Sequence, residues 1–234
     1  MPTTRPCLAT LCLAFALACG STRARPDPVR PSNRDPHGGP DVHAYIDRLQ
    51  SPDRLEDLQV DRVIQTIAPA PDATIGDLGC GPGIFVLGFA NACVRGVVYA
   101  SDIEPAQLDR VREHIAATGL RNIVPVLASP DDPHFPPGRL DVVFVSDTYH
   151  HLENRVEYMR ELRSVFRPGG RLVLLEYKPG PLPVGPPPAE KLAHGELERE
   201  LVEAGYVRVE RYETHPYHDF EVWRVVQTWE QARK

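Results

Sequence analysis

The amino-acid sequence predicts an α/β fold built on a mostly parallel sheet. Short apolar runs alternate with segments of helical spacing, which is typical of parallel strands with helices on both faces of the sheet. A glycine-rich turn at 79–83 joins the first apolar run to a helix. The 234 residues, 42% of them hydrophobic, suffice for one α/β domain with a full core.

Residues 1–40 are expected to lie outside that domain, which we assign to 41–234. A twelve-residue apolar stretch at 7–18 follows the basic Arg5 and is too short to span a bilayer. Because the small Ala18 precedes Cys19, residues 1–19 are interpreted as a secretory signal. Residues 20–40 contain five prolines and almost no apolar side chain, so a disordered tether is predicted.

The end of this signal, Ala-Leu-Ala-Cys at 16–19, resembles a bacterial lipoprotein lipobox, with Ala16 where that pattern prefers Leu. The resemblance implies an exported lipoprotein of a bacterial envelope, anchored to the membrane by a lipid on Cys19. The alternatives are an ordinary signal peptide, or a start codon placed too early and a cytoplasmic protein.

The glycine-rich turn points to a nucleotide-like ligand. The first strand, at 74–78, contains Asp77 and leads into Gly79, Gly81 and Gly83. Glycine lets the backbone approach a ligand closely, and the helix that follows presents unpaired N–H groups. One or two short helices, within 49–67, are predicted to lead into this strand.

The spacing of the glycines decides which nucleotide is expected. A dinucleotide fingerprint fails because Ile84 stands where its third glycine is required. A P-loop fails because it needs a Lys at its end, and no Lys lies between Arg62 and Lys178. Asp77, Gly79, Gly81 and Gly83 resemble, position for position, the D-x-G-x-G-x-G motif of class I S-adenosylmethionine-dependent methyltransferases. The resemblance implies a Rossmann-like seven-stranded, mostly parallel sheet with an antiparallel C-terminal edge. It also implies S-adenosyl-L-methionine as the cofactor.

Further cofactor contacts are expected after the second strand, at 97–102. This strand ends in Asp102, a carboxylate placed to accept hydrogen bonds from both ribose hydroxyls. We assign the adjacent Ile103 to the same site. The alternative for Asp102 is a cap for the helix that begins at 104–105 and ends at Gly119. In the family a leading segment often closes over the cofactor, which makes Tyr45 a candidate contact. The alternative for Tyr45 is a packing residue of the leading helix.

The loop after the third strand, at 123–127, is expected to face the adenine. Family members commonly carry an acidic residue there, whereas this chain has Ser129 at the usual position. Asp131 is the candidate substitute, and Asp132 is interpreted as a solvated loop carboxylate.

The segment 146–152, Ser-Asp-Thr-Tyr-His-His-Leu, follows the apolar fourth strand at 140–145. Ligands of open α/β sheets bind beyond the carboxyl ends of the strands, so this segment should face the transferred methyl group. It resembles the His-His-Leu loop of many small-molecule methyltransferases. We assign Asp147 to the cofactor, His150 or His151 as a general base, and Tyr149 to orienting the acceptor.

A metal site is the alternative for these histidines, together with His215 and His218. No acidic residue or Cys is spaced to complete a recognisable site, so no metal is predicted.

The remaining elements complete the predicted sheet. A helix at 156–165 is ended by Pro-Gly-Gly at 168–170, and the fifth strand follows at 171–177. Six prolines at 179–188 predict a loop over the substrate side. A last helix ends at Gly205, and strands at 206–212 and 220–228 form an antiparallel pair at the sheet edge.

The predicted function is methyl transfer to a small-molecule or lipid-like acceptor. A net charge of −6 argues against a nucleic-acid partner. The alternative is a non-catalytic, exported protein that binds an adenosyl ligand or a partner, because S-adenosylmethionine is made in the cytoplasm. The acceptor and the oligomeric state cannot be read from the sequence.

Overall fold

The computed structural model describes Met1 and residues 41–226. The predicted signal and tether therefore lie outside the described residues, apart from Met1. Among the described residues, no helix is both long enough and apolar enough to cross a bilayer.

Within the described residues, three short helices precede the sheet, where the spacing of apolar residues predicts one or two. They are α1 (Val42–Leu49), α2 (Pro52–Leu58) and α3 (Val60–Ile67). Asp41 caps α1 by accepting a hydrogen bond from the backbone N–H of Ala44. Pro52 opens α2 at a position where its missing N–H is not needed.

Seven strands form one sheet, in the order β3-β2-β1-β4-β5-β7-β6. The strands β1 to β5 are parallel, and β7 runs antiparallel to both β5 and β6. This arrangement confirms the predicted fold class, including the antiparallel C-terminal edge. The strands are β1 (Thr74–Leu78), β2 (Val97–Asp102), β3 (Ile123–Leu127), β4 (Leu140–Ser146), β5 (Phe166–Tyr177), β6 (Tyr206–Tyr212) and β7 (His218–Val225).

Helices cover both faces of the sheet and bury a core on each. The remaining helices are α4 (Val86–Ala92), α5 (Pro105–Thr118), α6 (Arg155–Leu162) and α7 (Glu196–Glu203). One core joins the sheet to α3, α4 and α5, and in it the ring of Phe144 lies 4.6 Å from that of Phe85. The other joins the sheet to α6 and α7 around the fully buried Trp223. Burial of such aromatic and aliphatic side chains supplies most of the driving force for folding.

The fifth strand differs from the sequence prediction because it begins at Phe166 rather than at 171. The chain pairs Leu140 with Phe166 and then Val142 with Arg171, so extra residues bulge out of β5 between these two pairs. A bulge accommodates the predicted helix terminator at 168–170, where Gly169 has φ +83°. The Pro-Gly-Gly sequence thus interrupts the pairing of the strand without ending it.

The topology brings distant parts of the chain to one edge of the sheet. The carboxyl ends of β1, β2, β4 and β5 share this edge because these strands are parallel. The antiparallel β7 begins there, with His218 paired to Tyr177 at the end of β5.

Candidate functional site

The glycine-rich turn forms one wall of the site. Gly79, Gly81 and Gly83 have φ of +68°, +53° and +88°, a backbone region that favours glycine. A Cβ on Gly79 would lie 2.3 Å from the Cγ2 atom of Thr148. The N–H groups of Gly79 and Cys80 donate to the carbonyl of Ser101 at 2.8 and 3.0 Å, which fixes the turn against β2.

Asp77 is enclosed beneath this turn. Its side chain is 2% exposed, and its Oδ2 atom has no hydrogen-bond partner among the described residues. Burial, together with the negative charge of Asp102, raises the pKa of Asp77 to about 8. A buried carboxyl group with one unpaired oxygen suits a ligand that carries a positive charge.

Asp102 organises the backbone on the other side of the turn. Its Oδ2 atom accepts a hydrogen bond from Gly81 N–H at 2.8 Å, and its Oδ1 atom accepts one from Glu104 N–H at 2.9 Å. Asp102 therefore accepts a hydrogen bond just before α5, in partial agreement with the capping alternative. The side chain that caps the first turn of α5 is Glu104, which accepts from the Ala106 N–H. Ile103 is 43% exposed and presents apolar surface next to this carboxylate.

The loop after β3 lies against Asp102. The backbone N–H of Ala128 donates to the Asp102 carbonyl at 2.9 Å. The Ser129 hydroxyl donates to the Asp131 carboxylate at 2.8 Å, so these two predicted residues act as one polar group. The exposed Asp132 accepts a hydrogen bond from the backbone N–H of His134 and closes the loop.

The leading segment covers the site, as the resemblance implies. A Cβ on Gly81 would lie 3.8 Å from Leu49, so α1 is close to the glycine turn. Tyr45, also on α1, is near enough to Asp102 for that charge to act on its hydroxyl, and burial is the largest cause that raises its pKa. The structure therefore brings Tyr45 close to the predicted cofactor contacts.

Asp147 directly follows β4, on the side of the site opposite to the loop after β3. It has φ +47°, unusual for a residue other than glycine, and its carboxylate is buried. Arg54 Nη2 donates to its Oδ2 atom at 2.9 Å, and His218 Nε2 lies 3.2 Å from its Oδ1 atom. Burial raises the pKa of Asp147, but His218 and Arg54 together outweigh burial and hold the pKa below its usual value. Its predicted contact with the cofactor stays a prediction. Arg54 and His218 hydrogen-bond to Oδ2, whereas Oδ1 is buried and has no hydrogen-bond partner among the described residues.

Arg54 ties α2 to two strands of the sheet. Its guanidinium also donates to the Tyr177 hydroxyl at 2.9 Å, and the Tyr177 and His218 rings lie 4.4 Å apart. Neither Arg54 nor Tyr177 was among the site residues predicted from the sequence. The signal available for Tyr177 was its position at the end of the fifth strand, whereas Arg54 carries no motif.

The two adjacent histidines differ in their surroundings. His150 is 8% exposed, and its Nδ1 atom lies 2.7 Å from the Oε1 atom of Glu176. His151 is exposed, with its ring centroid 4.0 Å from that of His150. Glu176 was not among the residues predicted from the sequence, although a carboxylate inside an apolar strand was a usable signal.

Tyr149 faces away from this group. The residue is fully buried, and its hydroxyl donates to Glu200 on α7 at 2.9 Å. Arg155 on α6 binds the same carboxylate, which makes Tyr149 part of the contact between helices and sheet. We therefore give Tyr149 a packing role.

Two further observations concern metal binding and a groove on the surface. Within 41–226, no group of three or more His, Cys, Asp or Glu side chains is arranged to hold a metal ion. A groove of about 610 Å³ runs between α2–α3 and the start of α4, and Leu55, Ile84 and Leu87 line it. Of the candidate residues, only Gly83 borders this groove.

Comparisons with known proteins agree with this architecture. Residues 76–174 match the family model described as a methyltransferase domain. The SAM-dependent methyltransferase of Aquifex aeolicus superimposes with a TM-score of 0.73 at 24% identity, over 78% of this chain and 98% of that one. The trans-methyltransferase CalH, solved in complex with SAH, superimposes with a TM-score of 0.59 at 17% identity, over 77% of this chain and 62% of that one.

Curated relatives match about half of the chain. The tRNA U34 carboxymethyltransferase of Actinobacillus succinogenes is 28% identical over 50% of this chain and 36% of its own length. The ubiquinone/menaquinone biosynthesis C-methyltransferase of Vibrio vulnificus is 28% identical over 46% of this chain and 42% of its own length. The chain therefore spans well under half the length of these relatives. Residues 76–174 match a methyltransferase domain, and the chain shares its fold with a solved SAM-dependent methyltransferase.

Proposed function

We propose that the protein transfers a methyl group from S-adenosyl-L-methionine to a small-molecule or lipid-like acceptor. One observation carries the proposal. Inside the matched methyltransferase domain, a buried carboxyl group with an unpaired oxygen, Asp77, lies beside three glycines of positive φ at the carboxyl edge of the sheet. Such a site suits a ligand that is positively charged and closely held by backbone.

The residues that would hold the cofactor surround this turn. Asp77 and the glycines of 79–83 lie at its centre, while Asp102 and Ile103 suit the ribose and adenine. Ser129, Asp131 and Tyr45 complete the wall. When bound, the cofactor supplies a methyl group that is electrophilic because it is attached to a sulfonium.

The acceptor would bind beside Asp147, Tyr177 and His150. Arg54 closes this side from α2, and the proline-rich segment closes it from the other direction, since a Cβ on Gly185 would lie 2.4 Å from the Tyr177 ring. We expect Arg54 and the proline-rich segment to exclude water and to hold the acceptor in line with the methyl group. Such positioning is the main contribution that a protein makes to this transfer.

The acceptor class is proposed from the names of two relatives and from the net charge. One relative is named for quinone biosynthesis, which favours a lipid-like acceptor, and another for a tRNA. The net charge of −6 still argues against a nucleic acid, because nucleic-acid binding relies on basic surface. We therefore propose a small-molecule or lipid-like acceptor.

Titration calorimetry of the full chain with S-adenosylmethionine tests cofactor binding. Asp102→Ala should weaken binding at least tenfold, since a charge-assisted hydrogen bond is worth about 1.5–3 kcal/mol. Asp109→Ala is the matched control, because that exposed carboxylate on α5 pairs only with Arg112 among the described residues. Absence of binding by the unaltered protein would refute the proposal, and unchanged affinity in Asp102→Ala would refute the assignment of that residue.

Catalysis is tested separately, by a screen of acceptors with tritiated cofactor. Label transferred to a phenol, quinol or amine is the expected result. Binding without transfer to any acceptor class, tRNA included, would favour the non-catalytic binding protein. Transfer to tRNA alone would overturn the acceptor class.

A further inference from the structure

A buried carboxylate lies near the end of β5, and three groups of the protein hydrogen-bond to it. Glu176 lies between Leu175 and Tyr177 and is only 4% exposed. Burying a carboxylate is costly unless hydrogen bonds satisfy it. Here the backbone N–H groups of His150 and Tyr177 donate to it at 3.4 and 3.0 Å.

The third partner of Glu176 is the imidazole of His150. Glu176 Oε1 lies 2.7 Å from His150 Nδ1, the shortest of its three contacts. Because a carboxylate only accepts, Nδ1 donates, and a neutral ring then carries its proton on Nδ1. The contact therefore fixes both the orientation of the ring and the tautomer in which Nε2 has a free electron pair.

The second ring nitrogen is available to a ligand. His150 Nε2 forms no hydrogen bond within 41–226. It is not among the fully buried side-chain atoms that lack a partner, so the atom retains some contact with solvent. His150 follows β4 and Asp147 closely in the chain, at the edge of the sheet where the acceptor is proposed to bind.

The charges around this ring favour its protonated form. Glu176 faces it from β5, Asp147 from the end of β4, and Glu190 from the segment that follows the prolines, while the His151 ring lies beside it. Burial alone would lower the pKa of His150. The hydrogen bond and charge of Glu176, with the two other carboxylates, outweigh burial and raise the pKa above its usual value.

We propose that Glu176 positions His150 to take a proton from the methyl acceptor, so that the acceptor atom is an O–H or N–H that loses its proton on methylation. The inference rests on the proposed function. The acceptor atom gives an electron pair to the methyl carbon, and the pair of the broken carbon–sulfur bond stays on sulfur. The proton released from the acceptor goes to His150 Nε2. A thioether or tertiary amine, which has no proton to lose, lies outside this class.

The first test needs neither cofactor nor acceptor. The Cε1–H signal of His150 is followed by NMR as a function of pH in the full chain and assigned with His150→Gln. In Glu176→Gln the imidazolium loses a carboxylate partner, so the pKa of His150 should fall by about one unit or more. Glu157→Gln, which changes an exposed carboxylate on α6, is the matched control and should leave the titration unchanged. An unshifted His150 titration in Glu176→Gln would overturn the positioning role.

The second test is single-turnover methyl transfer to the acceptor found in the screen. The rate should rise with pH and level off near the pKa of His150, since only the neutral ring accepts a proton. Glu176→Gln should move this limb to lower pH and lower the plateau about 10–100-fold, and His150→Gln should lower it at least as much. Glu176→Asp keeps the charge and should recover part of the rate. Loss of transfer in His151→Gln but not in His150→Gln would overturn the assignment.

Calorimetry separates the two proposals. Affinity for S-adenosylmethionine should stay within about twofold in Glu176→Gln and His150→Gln, because neither residue touches the glycine turn. If the unaltered protein does not bind the cofactor, the proposed function fails. If it binds and transfers while the Glu176→Gln rate profile is unchanged, only the present inference fails.

Discussion

The two sides of the candidate site are built in different ways. The cofactor side comprises the ends of β1 to β3 with the turn at 79–83, and backbone hydrogen bonds between nearby loops hold it, as from Gly79 and Cys80 to Ser101. The acceptor side comprises the ends of β4, β5 and β7 with α2. Side chains far apart in sequence hold it, for example Arg54 with Tyr177, 123 positions apart. One side is thus specified by local backbone geometry and the other by tertiary contacts.

The largest effect is expected on the cofactor side, from Gly79→Ala. A left-handed backbone costs a residue with a Cβ about 1–2 kcal/mol, and the overlap with Thr148 adds about 1–3 kcal/mol. The free energy of unfolding should therefore fall by about 2–5 kcal/mol, measured by urea denaturation. Gly119→Ala is the control, since Gly119 has φ +71° but no neighbouring atom within 4 Å of the added Cβ. Equal losses in the two variants would show that Thr148 does not constrain the turn.

A smaller effect is expected on the acceptor side, from Arg54→Met. This change removes one of two partners of the buried Asp147, together with the bond to Tyr177. We expect the free energy of unfolding to fall by about 1–3 kcal/mol, measured by the same denaturation. Arg112→Met, which breaks an exposed ion pair on α5, should cost about 0–1 kcal/mol. Arg54→Lys should recover only part of the loss because an ammonium cannot bridge two acceptors as a guanidinium does.

The smallest effect is a pH dependence of cofactor affinity. The pKa of Asp77 is about 8 without ligand, so the carboxyl is mostly protonated at pH 5 and increasingly ionised towards pH 8. A cationic ligand binds the ionised form better. Affinity should therefore rise at least tenfold, about 1.4 kcal/mol, from pH 5 to pH 7, where an α-amino group stays protonated. Calorimetry at several pH values measures the slope.

Asp77→Asn provides the control for this slope. An amide cannot titrate, so the affinity of this variant should change little with pH. A slope that survives in Asp77→Asn would assign it to another group.

The same contrast explains what could be predicted from the sequence. Asp77, the three glycines and Asp102 are recognisable because glycine spacing and strand ends fix their relative positions within about 25 residues. Arg54 could not be assigned to the site, because its role depends on which strands are neighbours in the sheet. For Glu176 the position inside an apolar strand was a signal, but its partner His150 depends on the same pairing. The choice between His150 and His151 likewise needed the structure, since burial beside Glu176 distinguishes two residues that are identical in type and adjacent in sequence.

The antiparallel β7 has a consequence for the order in which the protein matures on the ribosome. Because β7 lies between β5 and β6, the hydrogen bonds of β5 on one side stay unmade until residues 218–225 have been synthesised. The predicted cofactor contacts on the first three strands end at about residue 131, but β1 also pairs with β4 and Thr148 contacts Gly79. Domains fold as units during synthesis, from the N-terminus onwards. The turn and the acceptor side are therefore expected to form together in a nascent chain, once β7 has been synthesised and can pair with β5.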